Sequence, residues 1–282
     1  VKFSILSLFP EQVLGALSYS ITGRAIQQRL IALDLVQIRD FAVNAYGQVD
    51  DAPFGGGRGM VMMCDPVYDA WLSVARQTED EGAEAASIAG VERGSSAAGR
   101  PAQAKDALER HRPPRTIFLS PAGKTFDQTM ARELAKETHV IFICGHYEGV
   151  DARVIEEIGA EEVSLGDFVL TGGELAAAVV IDAVTRMIPG VLPDQEAWQI
   201  ESFSNGLLEW PQYTRPRVWR RRAVPEVLLS GDQAAIDRER EISRLIETLR
   251  KKPRLLEGLS IDRGLWESAA RRLETEHSSV KE

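Results

Sequence analysis

No run of eighteen or more apolar residues occurs in this sequence of 282 residues, so no segment reads as a membrane-spanning helix. The first residues, "VKFSILSLFP", lack the basic flank and small-residue cleavage site of a signal peptide, and a cytoplasmic location without membrane attachment is expected. Cysteine is scarce. Cys64 in "MVMMCDP" and Cys144 in "VIFICGHY" sit in apolar runs, far from a second cysteine or a metal-spaced histidine, so two buried, reduced thiols are predicted. Positive charge is in deficit, with 33 Lys and Arg against 42 Asp and Glu and a formal net charge of −9. That balance excludes a protein that coats nucleic acid by general attraction, and any such contact must be local. The phosphate-cradling pattern G-x-G-x-x-G is missing as well, and "PAGKTF" lacks the P-loop glycine five residues ahead of its Gly-Lys-Thr.

What is present has the rhythm of an α/β protein. Strand-like "KFSILSLF" is followed by a predicted helix over about 11–31 and by "LVQIRDF"; helix is predicted again over 66–76, 127–137, 151–157 and 174–188. Between them, "RTIFLSPAGKTF", "HVIFICGHYEGVD" and "EEVSLGDFVLTGGE" are rich in Ile, Phe and Val and close on glycine, as buried parallel strands feeding tight loops do. The helix over 174–188 is apolar on nearly every side, which predicts burial, and Pro189 stops it. Residues 77–115, poor in aromatics and rich in Ala, Gly, Ser and charge, read as a solvated insertion. A chain of this length suggests two domains: 1–189 α/β, 190–206 a linker without sustained period, and 207–282 helical and polar.

Three strand ends finishing in glycine suggest one pocket, because ligands gather outside the carboxyl ends of parallel strands. The charged residues nearby are Glu148, Asp151, Asp167 and Glu174, with Arg153 the main exception. Such a wall favours a cationic ligand without phosphates, a description that S-adenosylmethionine fits. Basic residues gather instead in "TRPRVWRRR" and in "RKKPR" at 250–254, each either a solvated face or a local RNA contact.

The motifs "LSPAGKTFDQ", "CGHYEGVDARV", "SLGDFVLTGGEL", "DAVTRMIPGVL", "ESFSNGLLEWPQYTRP" and "VPEVLLSG", in this order, resemble the bacterial tRNA (guanine-N1)-methyltransferase family of the SPOUT superfamily, from residue 1 to about 258. The resemblance implies a parallel sheet tied in a trefoil knot, a small helical tRNA-binding domain and a homodimer. It also implies methyl transfer from S-adenosylmethionine to N1 of guanosine at tRNA position 37. By matching motifs, Pro121, Gly145, Tyr147, Glu148, Ser164, Leu165, Gly166, Asp167, Phe168, Val169, Leu170, Gly172 and Gly173 line the methyl-donor site. A Cβ on Gly172 or Gly173 is then expected to obstruct the adenosine. Magnesium dependence is implied by the family alone, since no acidic pair in the sequence announces a metal site.

The resemblance also assigns chemistry. An aspartate in the family's linker removes the N1 proton; here the stretch reads "QIESF", and Glu201 stands in its place, with Asp194 in reserve. Arg186 matches the arginine that offsets negative charge building on the guanine oxygen, with Asp182 four residues earlier orienting it. Tyr213, Arg215, Arg217 and Arg58 of "PFGGGRGMVM" are the expected tRNA contacts. Gln233 and Glu239 replace the family's usual His and Trp, and Glu239 adds negative charge to the RNA-facing domain. The alternatives are a related knotted RNA methyltransferase with another target and an RNA-binding homodimer weakened in catalysis. A nicotinamide oxidoreductase would need the phosphate glycines that are missing.

Overall fold

A computed structural model of the chain describes residues 1–76, 114–194 and 200–279, with the side chains of 276–279 excepted. The expected insertion at 77–115 therefore lies, but for its last two residues, outside the described residues, as do 195–199 of the expected linker. The chain falls into two compact units, Val1–Pro193 and Asp194–Glu282. No helix among the described residues is long and apolar enough to cross a membrane.

The first unit is built on five parallel strands: β1 (Lys2–Ser7), β2 (Ala32–Gln37), β5 (Arg115–Thr125), β6 (His139–Cys144) and β7 (Glu161–Ser164), in the order β2-β1-β6-β5-β7. β3 (Asp50–Asp51) and β4 (Val61–Met62) form a separate short ribbon. All six residues of β6 are buried, which is why "HVIFIC" has no polar alternation: helices cover both faces of the sheet. Successive side chains point to opposite faces. Phe142 joins Phe3, Ile5 and Ile117 in one apolar cluster, whereas Ile141 and Ile143 join Leu6, Val36 and Ile38 in the other. The first cluster is closed by α1 (Glu11–Leu17), α2 (Ser20–Gln27), α4 (Gln128–Leu134) and α6 (Glu174–Thr185). The second is closed by α3, spanning 64–76, and α5 (Ala152–Ile158).

Three local expectations are corrected. The single helix over 11–31 is two, since Ser20 adopts a left-handed φ of 56° and breaks the run between them. β5 does not end at "LSPAG" but runs on to Thr125. Leu119 and Lys124 both pair with Val163, so residues 120–123 bulge out of the ladder and Gly123 lies against the backbone of Glu162 and Val163. Finally, α6 is not covered all round. Ala177, Val180, Ile181 and Val184 are buried, but Leu175 and Val179, one turn apart, are 55% and 52% exposed.

In the second unit α7 (Gln233–Lys251) and α8 (Arg263–Ser279) pack through Ile242, Leu245, Ile246 and Ala269. Asp232 caps α7 by accepting from the Ala235 N–H at 3.2 Å. Arg244, only 2% exposed, donates to the Leu208 carbonyl and to Asn205, and Leu208 N–H donates to Thr248 Oγ1 at 2.9 Å. Residues 205–208 are thereby pinned to α7. Strands β8 (Val218–Trp219) and β9 (Arg222–Ala223) form an exposed antiparallel hairpin.

Candidate active site

The carboxyl ends of β5, β6 and β7 open into one cavity of about 340 Å³, near the lower end of the size range of small-molecule sites. Pro121 enters from the β5 bulge; Gly145, Tyr147 and Glu148 follow β6; Ser164 and Leu165 end β7; Phe168, Val169, Leu170, Gly172 and Gly173 come from the turn before α6. Of the thirteen residues expected at a methyl donor, these eleven are brought together. Gly166 and Asp167 are not among the lining: Gly166 exchanges hydrogen bonds with Ser164 Oγ at 3.1 Å both ways, and Asp167 is exposed. The motifs did not single out Phe118, Leu119, Ser120, Gly149, Val150, Val163 and Thr171, which complete the wall with His146 and Ala176.

Gly172 and Gly173 are also required to be glycine by the protein's own packing. A Cβ on Gly173 would stand 2.7 Å from the Cys144 Cα, because the turn is pressed onto the end of β6, where Gly173 N–H donates to the Gly145 carbonyl at 3.1 Å. A Cβ on Gly172 would stand 2.5 Å from Glu174 Oε2 and 2.6 Å from His146 Nε2. The crowding comes from the protein itself. Glu174, 1% exposed at the first turn of α6, accepts from Ser7 Oγ at the end of β1 and lies 2.7 Å from His146 Nε2. The helix N-terminus favours a carboxylate there. His146 in turn packs edge-on against Phe9 and Tyr147, with ring centroids 5.1 and 6.2 Å away, and Tyr147 holds a left-handed φ of 59°. Ser7, His146 and Glu174 are 7, 146 and 174 in sequence, so no local pattern links them; only the sheet order does.

The acidic wall is thinner than the sequence suggests. Asp151 caps α5 and takes two hydrogen bonds from the Arg153 guanidinium, at 2.9 and 2.7 Å, which hold its carboxyl well below the usual carboxylate range. Arg153 is thus occupied at the surface, and its own pKa is raised by the same pair. Glu148 remains as the acidic residue of the lining. Its main-chain N–H donates to the Met60 carbonyl at 3.0 Å, and its side chain lies where a Cβ on Gly59 would be. The loop "PFGGGRGMVM" is docked at this end: Met62 N–H donates to Gly149 O at 2.9 Å, and Asp151 N–H to Met62 O at 3.0 Å. Arg58 is exposed within it. The thiols are as buried as predicted at Cys144 and only half-buried at Cys64; burial raises both pKa values, aided by Glu174 and Asp151 respectively.

Arg186 is the C-cap residue of α6, its N–H donating to Asp182 O at 3.2 Å. It sits about 20 Å along the helix from the Gly172-Gly173 turn. Glu201 lies in the second unit, its carbonyl accepting from Ser204 N–H at 3.3 Å, and Asp194 is exposed at that unit's first residue. Tyr213, Arg215 and Arg217 share a groove of about 450 Å³ with Trp210, Gln233 and Arg240, whose guanidinium lies 4.9 Å from the Trp210 ring centre. Glu239 does not present a bare negative charge to a ligand. Both of its oxygens take hydrogen bonds of 2.5 Å from Arg272 of α8, which lowers its pKa, and its charge is neutralised within the helix pair. Among the described residues, no three His, Cys, Asp or Glu converge as metal ligands.

The model of the tRNA (guanine-1)-methyltransferase TrmD family matches residues 1–91 and 97–258. A tRNA (guanine-N(1)-)-methyltransferase of Ruminiclostridium cellulolyticum is 46% identical over 259 residues, covering 92% of this chain and 97% of its own length. That of Alkaliphilus oremlandii is 45% identical over 89% of this chain and 90% of its own, and one from Staphylococcus epidermidis 41% over 98% and 100%. With a family match through both compact units and sequence likeness of this extent, the chain belongs to the tRNA (guanine-N1)-methyltransferase family.

Proposed function

We propose that the protein methylates N1 of guanosine 37 in tRNA with S-adenosylmethionine as donor. The observation that carries this is the cavity at the ends of β5, β6 and β7, walled by apolar side chains and main chain, with an acidic residue and no phosphate cradle. The residues fit the donor. Leu119, Val163, Leu165 and Leu170 suit an adenine, main chain at Gly145, Leu165 and Gly172 suits its polar edge, and Glu148 suits a cationic group. When bound, the donor supplies an electrophilic methyl group on a positively charged sulfur. The trefoil knot is part of this reading.

Guanine N1 carries a proton at neutral pH, so a base has to take it as the N–C bond forms. Glu201 takes that proton, and Arg186 donates hydrogen bonds toward the guanine oxygen, where negative charge grows as the proton leaves. Within one chain Arg186 lies a helix length from the cavity. A second copy resolves the distance: Leu175, Val179, Asp182 and Arg186 follow one another at helical spacing on the outer face of α6, with its first two apolar members exposed. A homodimer packed on this face carries the Arg186 of one copy to the cavity of the other. Among the described residues no three His, Cys, Asp or Glu gather as a ready-made magnesium site.

Two measurements test the reading. Titration calorimetry is expected to give binding of adenosylhomocysteine and none of NAD. Single-turnover methylation is expected with a tRNA transcript bearing guanosine at 37 and not with its adenosine-37 counterpart; equal transfer to both would refute the assigned target.

A further inference from the structure

The hairpin of β8 and β9 is an unusual object on a chain of net charge −9: residues 210–225 hold five arginines and no acidic residue. Val218 pairs with Ala223 and Trp219 with Arg222, and Val224 N–H closes the base by donating to Arg217 O at 2.9 Å. The two-residue tip is Arg220-Arg221, both with left-handed φ, 48° and 67°. A turn of this kind ordinarily takes Asn-Gly, so the sequence places arginines at the tip against backbone preference. Trp219 is 56% exposed, and the Arg220 guanidinium lies over its ring at 4.8 Å. The strand entering the hairpin continues from the groove that holds Tyr213, Arg215 and Arg217.

We infer that this hairpin is an RNA-gripping arm in which Trp219 stacks on an unpaired base while Arg220 and Arg221 hold the flanking phosphates. An exposed aromatic with a guanidinium over one face leaves the other for any base, and single-stranded loops present bases with their faces open. Positive charge concentrated in this arm supplies the local attraction that the overall charge denies. The inference rests on the reading of the chain as a tRNA methyltransferase and names where, on the second unit, the RNA is held.

Fluorescence anisotropy with an unmodified tRNA transcript tests it on the full-length protein, with adenosylhomocysteine calorimetry as the check that the first unit is folded. The double variant Arg220→Asn, Arg221→Gly installs the preferred turn, so the hairpin is retained while two cations leave. Its affinity is expected to fall about tenfold near 0.1 M salt, and the slope of log K against log salt to shrink by roughly 1.4 to 1.8. Trp219→Ala is expected to weaken binding about five- to a hundredfold with the salt slope unchanged, and Trp219→Phe to recover most of the loss. Wild-type affinity and salt slope in these variants would overturn the inference and leave the methyltransferase reading standing. Absence of tRNA binding by the wild type would overturn both. Vesicles containing phosphatidylglycerol serve as the competing surface: if they bind the wild type, lose the double variant, and tRNA binding is unchanged, the arm is a membrane contact and the inference fails.

Discussion

A methyl group added at Gly172 or at Gly173 has different neighbours to strike, and the two substitutions are expected to fail differently. Gly173→Ala meets the main chain of Cys144, which cannot yield without moving β6, so a loss of about 1–3 kcal/mol of stability is expected in chemical denaturation. Gly172→Ala meets the ends of Glu174 and His146. Those side chains can move, so the melting temperature changes less while adenosylhomocysteine affinity drops; the reverse ranking would show that the pair does not shape the site. Glu201→Gln keeps the size of the side chain and removes its basicity. Transfer is expected to slow by about 10²–10⁴ in single turnover with donor affinity unaltered, and an unchanged rate would remove Glu201 from the chemistry. At this scale the sequence was readable as to where a side chain is forbidden, but not as to why. The glycine pair is visible in the text, whereas the His146 and Cys144 atoms that crowd it are brought there by β6, a strand distant in the chain.

Among the elements, α6 shows how composition misleads. Its sequence is apolar on nearly every side, and burial was the natural expectation; one chain covers only part of the surface, leaving Leu175 and Val179 to water. Replacing both by aspartate is expected to leave the unit folded, convert a dimer to monomers in sedimentation velocity, and abolish methyl transfer while sparing donor binding. Monomeric wild-type protein would defeat the shared-site arrangement. The strands were legible because their apolar runs are uninterrupted, and so was the convergence of their ends on a pocket. The β5 bulge was hidden, since "SPAG" carries a turn signature and nothing local reveals that the strand resumes at Lys124. The role of Glu239 was hidden for a similar reason: an acid in a helix reads as a solvated charge until its partner, Arg272 on the next helix, is placed beside it.

For the whole molecule, the amino ends of the strands hold a second buried polar cluster with a consequence for pH. Ser4 Oγ lies 3.0 Å from Asp34 Oδ2 and 2.9 Å from His139 Nε2, and Lys2 pairs with Asp34 at 3.1 Å. Burial, followed by the charge of Lys2, lowers the His139 pKa to about 4, against an opposing pull from Asp34. The unfolded chain binds this proton near pH 6.5 and the folded chain only near 4, so stability present above about 6.5 is lost as the pH falls through that interval. Up to about 3 kcal/mol is at stake. Denaturation midpoints measured from pH 7.5 to 4 are expected to decline, and His139→Gln to flatten the decline; a parallel curve in the variant would assign it elsewhere.

β6 lies between β1 and β5, and its register sets Lys2 beside His139. During synthesis the first strand therefore leaves the ribosome with one edge satisfied by β2 and the other waiting for a partner more than a hundred residues behind, a delay on the order of ten seconds at ordinary elongation rates. Throughout that interval "FSIL" offers an open hydrogen-bonding margin to any nascent neighbour, a margin closed only when β6 arrives.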